Sequence, residues 1–469
     1  VTIKNNGNFA QYYKDTSFFY FYMTKIVNIK KGLDISIRGK ADLSAPVDVA
    51  PSTCAIIPDD FPGITPKVDV KEGDEVVVGS SLFHDKAYPD IKVVSPVAGT
   101  VTAVVRGERR KLERIVVTPG SAPSTSLDFK VNDIDDPTRA AQLLLDSGLW
   151  SWMRQRPYNI VPRPGAAPRD IFITGFDSAP LAPDYEMLLD GNAKELNAAI
   201  GLLRKLTDGI IYIGVRSGSC IESLQGVEAV VVNGPHPAGN VGVQICNVKP
   251  VNKGDIVWTM DALTLLRIGK LVTTGTLDMT VTAALTGCEV TEPHYIKTTV
   301  GADMKSVLKG AVNDDDIHHR IISGNVLTGI PVSEDGYLRF PYTQVTVIAE
   351  GDDFAEFMGW ASLSPQKMSV SRSFPGHFFK RKFCPDARIL GGRRAMIMSG
   401  VYDKVMPMDI LPEYLIKAII ARDIDRMEQL GIYEVAPEDF ALCEYVDPSK
   451  LELQKIVQEG LDYLRKELS

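Results

Sequence analysis

The sequence predicts a multidomain protein that combines α/β and α+β domains and ends in a helical region. Three observations support this class. The chain has 469 residues, more than a single hydrophobic core usually organises. Its 45% apolar and 23% charged residues are typical of a folded protein, which excludes disorder as the dominant state. The apolar pattern also changes along the chain from period two, to strand–helix–strand, to helical spacing.

The first 22 residues differ from the rest of the chain. They are rich in aromatic side chains between Phe9 and Tyr22, set among asparagine and lysine. They lack the apolar core and the small-residue cleavage site of a signal peptide. We expect translation to begin at Met23 and residues 1–22 to be a non-native or disordered leader.

Residues 23–125 are predicted to form a small β-sandwich, because short alternating strands are punctuated by glycine. The motifs Gly73-Asp74, Asp85-Lys86-Ala87 and Ser95-Pro96-Val97-Ala98-Gly99 follow one another as in lipoyl domains. The segment therefore resembles the biotinyl/lipoyl carrier fold, and the resemblance implies a modification site at Lys86. Because Tyr88-Pro89-Asp90 lengthens and stiffens the turn, we favour a carrier-like domain used as structure over a lipoylated one.

The same domain carries a basic cluster made of Arg106, Arg109, Arg110, Lys111 and Arg114. A solvated strand face is the favoured interpretation. The alternatives are contact with phospholipid headgroups or with an acidic partner.

Residues 126–168 are predicted to be a helix and a proline-rich linker. The segment Ser147-Gly148-Leu149 resembles the start of the glycine-rich loop in the NADH-binding flavoprotein subunit of respiratory complex I. Trp150, Trp152 and Met153 stand where that loop has glycines, and phosphate recognition needs bare backbone N–H groups. We therefore expect the flavin and NADH site of that fold to be filled by side chains.

Residues 169–290 are predicted to form a parallel α/β domain, and the resemblance to the same flavoprotein implies that it is Rossmann-like. Apolar strands at 170–175, 210–214 and 229–232 alternate with a helix at about 191–206, which is the pattern of a parallel sheet. Ligands of such sheets bind beyond the carboxyl ends of the strands.

A stiff loop follows the third of these strands and contains Gly234, Pro235, His236, Pro237 and Gly239. It matches neither the dinucleotide fingerprint nor a P-loop. It could line a ligand cleft in which His236 donates a hydrogen bond to a carbonyl oxygen. A rigid structural turn is an equally favoured interpretation.

Residues 291–352 are predicted to form an α+β module around a helix at 304–312, and residues 353–469 a helical region. Leu411, Leu415 and Ile419 have helical spacing in that region. No run reaches the roughly 18–20 apolar residues of a membrane helix.

The cysteine and histidine patterns argue against a metal or cluster site. Six widely spaced cysteines exclude iron–sulfur ligation and C-x2-C zinc pairs, and they suggest reduced, buried thiols more than a disulfide framework. His318-His319 beside Asp314–Asp316 is interpreted as a surface loop. No sequence motif nominates a nucleophile, and a net charge of −8 argues against nucleic acid as a partner.

Several motifs in order are similar to the A-subunit family of bacterial sodium-translocating NADH:quinone oxidoreductases. They are Ile29–Asp34, Phe83–Lys86, Ser147–Trp150, Gly234–Gly239, Ile268–Leu271, Ser323–Gly329 and Val405–Pro412. One departure is that Cys443 lacks the second cysteine that usually follows it in the family.

The resemblance implies a peripheral subunit on the cytoplasmic face of the bacterial inner membrane, in a complex that uses NADH and flavins to reduce quinone and export sodium. It implies membrane-embedded and flavoprotein subunits as partners, a β-grasp soluble-ligand-binding module at 291–352, and no FMN or iron–sulfur cluster on this chain. It also implies quinone as a ligand. The candidate quinone site is the loop with Gly234, Pro235, His236, Pro237 and Gly239, and the first domain is the alternative location. The alternatives are a swinging-arm carrier modified at Lys86 and a stand-alone flavin or NADH oxidoreductase.

Overall fold

The structure is a computed structural model of the chain. It describes residues 25–120, 125–131, 134–313, 317–352, 367, 370, 375–379, 381–389 and 392–468. The predicted leader at 1–22 and the acidic run Asp314–Asp316 lie outside these residues.

The strands of the described residues belong to four sheets. They are β1 Lys25–Asn28, β2 Val47–Asp48, β3 Cys54–Ile56, β4 Pro66–Val68, β5 Glu75–Val76, β6 Ser81–Asp85, β7 Lys92–Val94, β8 Gly99–Arg106, β9 Leu112–Pro119, β10 Arg154–Arg156, β11 Asp170–Thr174, β12 Ile211–Val215, β13 Glu228–Asn233, β14 Val257–Asp261, β15 Thr280–Thr286, β16 His294–Thr299, β17 His319–Ser323, β18 Ile330–Val332 and β19 Gln344–Ala349.

The α-helices connect these strands or follow the last of them. They are α1 Pro137–Asp146, α2 Tyr185–Leu189, α3 Ala193–Leu203, α4 Val241–Val248, α5 Ala262–Thr274, α6 Met304–Leu308, α7 Pro412–Ala421, α8 Ile424–Gln429, α9 Ala441–Val446 and α10 Leu453–Leu468. Within the described residues, none of them is long and apolar enough to cross a membrane.

A six-stranded sheet in the order β1-β13-β12-β11-β14-β10 forms the centre of the α/β domain. Its strands are parallel except for β10. Ile171 and Ile213 face a core shared with α3 and α5, whereas Phe172 and Val232 face α4 and the C-terminal helices. Both faces are covered, which explains why these strands are apolar throughout rather than alternating.

The strands that follow β11 in the chain are added on both sides of it. From β11 the chain adds β12 and then β13 on one side, and it returns through α4 to place β14 on the other side. The carboxyl ends of β11 and β14 therefore flank the switch point, where open α/β sheets leave a crevice.

The first strand corrects the predicted extent of the β-sandwich. The prediction groups residues 25–28 with the sandwich at 23–125, but β1 pairs in parallel with β13 at the edge of the α/β sheet. The alternating pattern of Lys25–Asn28 identifies a strand and carries no information about which distant strand completes its hydrogen bonds.

The sandwich itself consists of two small antiparallel sheets, β3-β9-β8-β5 and β4-β6-β7. The long hairpin β8–β9 has two register shifts, between Val101 and Ala103 and between Val105 and Arg106. The core of the sandwich contains the fully buried side chains of Val101, Leu82 and Phe83. β8 starts with the period-two pattern of the sequence, because Gly99 and Val101 are buried and Thr102 is exposed. β6 departs from it, because the adjacent Leu82 and Phe83 are both buried where β6 shifts register against β7.

A second six-stranded sheet, in the order β18-β17-β19-β15-β16-β2, follows the α/β domain along the chain. β15 belongs to it, so the α/β domain ends before Thr280 rather than at the predicted residue 290. β2 from the predicted sandwich pairs with β16 at its edge. The helix predicted at 304–312 ends at Leu308, because Lys309 leaves the helical conformation ahead of Gly310, which has φ +69°.

The C-terminal helices α7 to α10 pack against one face of the α/β sheet. Leu415, Leu461 and Leu464 are fully buried in the core that also holds Val232 of β13. The predicted helical region, 353–469, is too long, because among its described residues the α-helices begin only at Pro412. These helices form a layer of the α/β domain.

Candidate functional site

The candidate site lies at the carboxyl ends of the parallel strands, around the loop that joins β13 to α4. The loop contains the predicted Gly234, Pro235, His236, Pro237 and Gly239, and the His236–Pro237 peptide bond is cis. Gly234 has φ +128°, and a Cβ there would lie 2.3 Å from the carbonyl oxygen of Ile29. A residue with a side chain would therefore push the loop away from the segment after β1.

His236 is held by its backbone as well as by its side chain. Its N–H donates to Asp34 Oδ1 at 2.8 Å, and its carbonyl accepts the N–H of Leu33 at 2.8 Å. The residue is 3% exposed, and its Nδ1 lies 3.0 Å from the hydroxyl oxygen of Ser178. The segment after β1 and the loop after β11 thus fix the histidine from two sides.

Burial lowers the pKa of His236 to about 4, against a smaller opposing effect of Asp34. The imidazole is therefore neutral at physiological pH. Its Nε2 is buried and has no hydrogen-bond partner among the described residues.

The surroundings of Ser178 favour one tautomer of this neutral ring. Ser178 Oγ accepts the N–H of Gly239 at 2.8 Å, which leaves its own proton to point at His236 Nδ1. With the Ser178 proton directed at it, Nδ1 accepts and Nε2 carries the ring proton. The opposite tautomer, in which Nδ1–H donates to Ser178 Oγ, has the same 3.0 Å distance. In the first tautomer the site presents a buried N–H that a carbonyl oxygen would satisfy.

Other polar groups lie at the same edge of the sheet. Arg216 stacks over the ring of Phe176, 4.3 Å from its centroid, and donates to the carbonyls of Val232 and Gly234 at 3.1 Å. The pKa of Asp177 is raised, chiefly by burial and further by Asp261. Ser178, His236 and Arg216 thus place several polar groups at this edge of the sheet, where they can contact a ligand with hydrogen-bond acceptors.

Two cavities of the described structure lie away from this loop. One of about 30 Å³ adjoins the switch point and is lined in part by Trp152, Asp261 and Arg267. The other, of about 1330 Å³, is lined in part by Ile35, Ile322 and the C-terminal helices. The loop residues line neither cavity.

Trp150 and Met153 pack into the interior, as their apolar bulk predicts, and Trp152 is half-buried. Trp150 is 2% exposed, donates to the carbonyl of Pro162 at 2.8 Å, and meets the Trp258 ring edge to face. Trp152 contacts the Phe340 ring. The aromatic rings occupy the region between the sheet and the second module and leave a cavity of only about 30 Å³ beside Trp152.

The remaining predicted positions lie apart from the loop. Lys86 is exposed at the turn between β6 and β7, and its N–H donates to the carbonyl of Thr65 at 2.8 Å. His318 pairs with Asp352 at 2.8 Å, whereas the Nε2 of His319 lies 3.6 Å from Glu289 Oε2. The two histidines thus have different carboxylate partners. Across the described ranges no group of three His, Cys, Asp or Glu residues could hold a metal ion.

The cysteines correct the expectation of reduced, buried thiols. Cys288 and Cys384 form a disulfide with their Cα atoms 5.7 Å apart. Cys54 and Cys443 are buried, but Cys220 is exposed and Cys246 half-buried. The pairing could not be read from the sequence, because it joins residues 96 positions apart on two different segments.

Sequence reasoning missed two contributors to the site. Ser178 follows β11 and Asp34 follows β1, and both reach the loop after β13 only because the three strand ends lie on one edge of the sheet. The signal available was the position of Ser178 shortly beyond a buried parallel strand.

Comparisons with known proteins give consistent matches along the chain. Family models match as the "NqrA N-terminal barrel-sandwich hybrid domain" at 27–120, the "NqrA second alpha/beta domain" at 136–277 and the "NQRA C-terminal domain" at 282–334.

Curated relatives match over nearly the whole chain. Proteins named as the A subunit of Na(+)-translocating NADH-quinone reductase, from Yersinia pseudotuberculosis (serotype O:1b, strain IP 31758) and Pasteurella multocida (strain Pm70), are 35% and 34% identical over 450 and 448 residues. In both cases the match covers 94% of this chain and 100% of the relative.

Among solved structures, a chain of the H2-reduced NAD+-reducing [NiFe]-hydrogenase is similar with 15% identity. The match covers 73% of this chain and 64% of that chain at a TM-score of 0.36, a level on which we base no argument.

Proposed function

The chain belongs to the family of Na(+)-translocating NADH-quinone reductase A subunits, and from this membership we propose that it is a peripheral, non-catalytic subunit of a membrane redox pump. Identity of 34–35% over the full length of its relatives is the observation that carries the proposal. The assembly oxidises NADH, reduces quinone and exports sodium. This chain supplies docking and a contact for quinone.

The proposed location is the cytoplasmic face of the bacterial inner membrane, and the proposed partners are the membrane-embedded and flavoprotein subunits. Sodium transport belongs to those partners, because the path of an ion through the bilayer needs intramembrane polar groups. We also propose lipoyl-like, Rossmann-like and β-grasp assignments for the sandwich, the α/β domain and the second mixed sheet.

We propose that the chain binds neither FMN nor an iron–sulfur cluster. The packing of Trp150 and Trp152 supports this, since each ring occupies space that a flavin loop leaves to bare backbone. The absorption spectrum of the chain purified from its host tests the idea. We expect no flavin absorption in the near-ultraviolet and blue parts of the spectrum. A flavin band of one flavin per chain would contradict the proposal.

Quinone is proposed to bind at the proline-rich loop, with the Nε2–H of His236 donating to one ring carbonyl. The support is chemical: Nε2 is a buried ring nitrogen without a partner among the described residues, and it is a donor when Nδ1 accepts from Ser178. The carbonyl oxygens of a quinone are acceptors. Because His236 is 3% exposed, the loop must open to admit the ring, and we expect weak binding by the isolated chain.

Saturation-transfer NMR with a short-chain quinone tests this site on the full chain. We expect a signal from the unmodified chain and from His318→Gln, which changes an exposed histidine elsewhere. The signal should fall in His236→Gln, which removes the ring. It should also fall in Ser178→Ala, which removes the hydroxyl group that contacts Nδ1 of the ring. Equal signals in all four proteins would remove the loop as the quinone site.

Docking is tested separately by adding the purified chain to membranes that carry the other subunits but lack this one. Recovery of NADH-driven quinone reduction is the expected result. Failure of a folded chain to associate with those membranes would contradict the proposed role.

A further inference from the structure

The hairpin β8–β9 carries a concentration of positive charge at its tip. Residues 106–114 include five basic and two acidic side chains, in a chain whose net charge is −8. Arg106, Arg109, Arg110 and Lys111 are exposed, and Arg114 is half-buried. The hairpin tip is thus positive although the protein as a whole is acidic.

Within the described residues, the arginines of the tip take no part in ion pairs. Lys111 pairs with Asp59 at 2.7 Å, and Arg106 donates to the backbone carbonyl of Arg110 at 3.3 Å. The guanidinium groups of Arg106, Arg109, Arg110 and Arg114 form no salt bridge with a carboxylate of the described chain. Their charges are therefore available to a partner.

The backbone of the tip presents two of these arginines in an unusual conformation. Arg109 and Arg110 have φ +52° and +61°, in the left-handed region that favours glycine or asparagine. The turn is closed by a bond from the N–H of Gly107 to the carbonyl of Lys111 at 2.9 Å. Two arginines occupy positions where local backbone energy favours smaller residues.

The composition of the tip distinguishes between kinds of partner. Protein interfaces rely on buried aromatic or aliphatic anchors and have few charges at their centre. No large exposed hydrophobic residue lies between 99 and 119. A predominantly cationic tip instead fits a surface of phosphate charges, to which each basic residue contributes independently.

We propose that the tip formed by Arg106, Arg109, Arg110 and Lys111 contacts the anionic phospholipid headgroups of a membrane surface. The inference rests on and deepens the proposed peripheral location of the chain, but the contact needs no protein partner. Weak attraction of this kind would orient a chain that its partners already hold at the membrane.

Flotation of the full chain with lipid vesicles tests the proposal. We expect binding to vesicles of phosphatidylcholine mixed with phosphatidylglycerol, and none to phosphatidylcholine alone. Binding should be lost at about 0.5 M salt, where screening reduces surface attraction. Equal binding to both lipids would overturn the proposal.

The double variant Arg109→Asn and Arg110→Asn removes two charges at positions whose backbone asparagine tolerates. Each arginine removed should lower the partition coefficient of the chain onto anionic vesicles about fivefold, so the double variant should lower it about 25-fold. The matched control is Lys67→Gln with Lys86→Gln. It removes two exposed charges from the same domain, in β4 and directly after β6, whose sheet does not contain the hairpin. An equal decrease in both variants would show that net charge rather than the tip is responsible, and would contradict the proposal.

A third arm separates the membrane from other sources of phosphate. Soluble glycerol phosphate should not displace the chain from vesicles at concentrations that leave ionic strength unchanged, because a single headgroup meets only one arginine. Complete displacement would assign the tip to a soluble phosphate ligand and overturn the membrane contact. A chain that does not bind vesicles can still restore activity to membranes that carry the other subunits. The vesicle test and the docking test therefore judge the lipid contact and the subunit role independently.

Discussion

Among single residues, His236 shows how burial decides the chemistry of a side chain. The residue type allows a charge change near neutral pH, but burial keeps the ring neutral, with a pKa of about 4. Ser178 Oγ lies 3.0 Å from Nδ1 and holds the orientation of the ring. A residue type that often senses pH is therefore uncharged here over the physiological range.

The lowered pKa of His236 makes stability depend on pH in one direction. The unfolded chain binds a proton near pH 6.5 and the folded chain only near pH 4. The contribution is complete above pH 6.5 and is lost as the pH falls towards 4. At pH 5 we expect a loss of about 2 kcal/mol in the free energy of unfolding from this group.

Urea unfolding at pH 7.5 and pH 5 measures this effect. The decrease between the two pH values should be smaller by that amount in His236→Gln than in the unmodified chain. The control is His294→Gln, which changes a histidine whose Nδ1 contacts a backbone carbonyl rather than a carboxylate, and it should keep the original decrease. An identical pH dependence in His236→Gln would show that the ring is not held neutral by the fold.

Among the elements, an ion pair connects the edge strand β10 to the turn before α9. The guanidinium of Arg156, 1% exposed, binds Asp439 at 2.9 Å and Glu438 at 3.0 Å. Asp439 is fully buried and also accepts the N–H of Ala436 at 2.9 Å. The pair joins the α/β sheet to the C-terminal helices across 283 residues of sequence.

Removing one member of this pair should be strongly destabilising, because the other charge remains buried without compensation. For Arg156→Met we expect a loss of about 3–5 kcal/mol in the free energy of unfolding, measured with urea. Adding Asp439→Asn to Arg156→Met should restore part of the lost stability. Such a recovery would show that the unpaired charge, rather than the change in side-chain volume, causes the loss.

The exposed pair Lys111–Asp59 provides the matched comparison for that experiment. Its side chains are 63% and 58% exposed, so Lys111→Gln should cost less than about 1 kcal/mol. Similar losses for Arg156→Met and Lys111→Gln would contradict the assigned difference between buried and exposed pairs.

Across the whole molecule, segments far apart in sequence complete one another's sheets. β1 supplies an edge of the α/β sheet, and β2 supplies an edge of the second mixed sheet. The segment at 381–389 lies against the chain that joins these two strands, since Phe383 bonds to the residues around Ile37. The disulfide between Cys288 and Cys384 attaches this segment covalently to the residues after β15.

Thiol titration of the denatured chain tests the disulfide. Of the six cysteines we expect four to react before reduction and six after it. Cys288→Ser should give five reactive thiols, because it releases Cys384, whereas the control Cys443→Ser should give three before reduction. Six reactive thiols in the unreduced chain would exclude the bond.

Closing a loop of this length also has an expected energetic effect. A separation of 96 residues corresponds to a stabilisation of about 4–5 kcal/mol in the chain-entropy account. Reduction without denaturant should therefore lower the melting temperature of the unmodified chain and leave that of Cys288→Ser unchanged.

Features that depend on near neighbours could be predicted from the amino-acid sequence. These features are the strands of the sandwich, the apolar parallel strands, the C-terminal helices and the burial of Trp150. They could be predicted because local periodicity and residue volume indicate burial. The stiff loop around His236 was also visible, since its prolines and glycines restrict the backbone directly.

Which distant groups meet was settled by the packing of the folded chain. The contacts Ser178–His236, Arg156–Asp439 and Cys288–Cys384 join residues 58, 283 and 96 positions apart. A strand pattern specifies that backbone groups need partners but not which strand provides them, and the cost of closing a long loop changes only slowly with its length. These pairings therefore leave no local signal, and the arrangement of sheets and helices selects them.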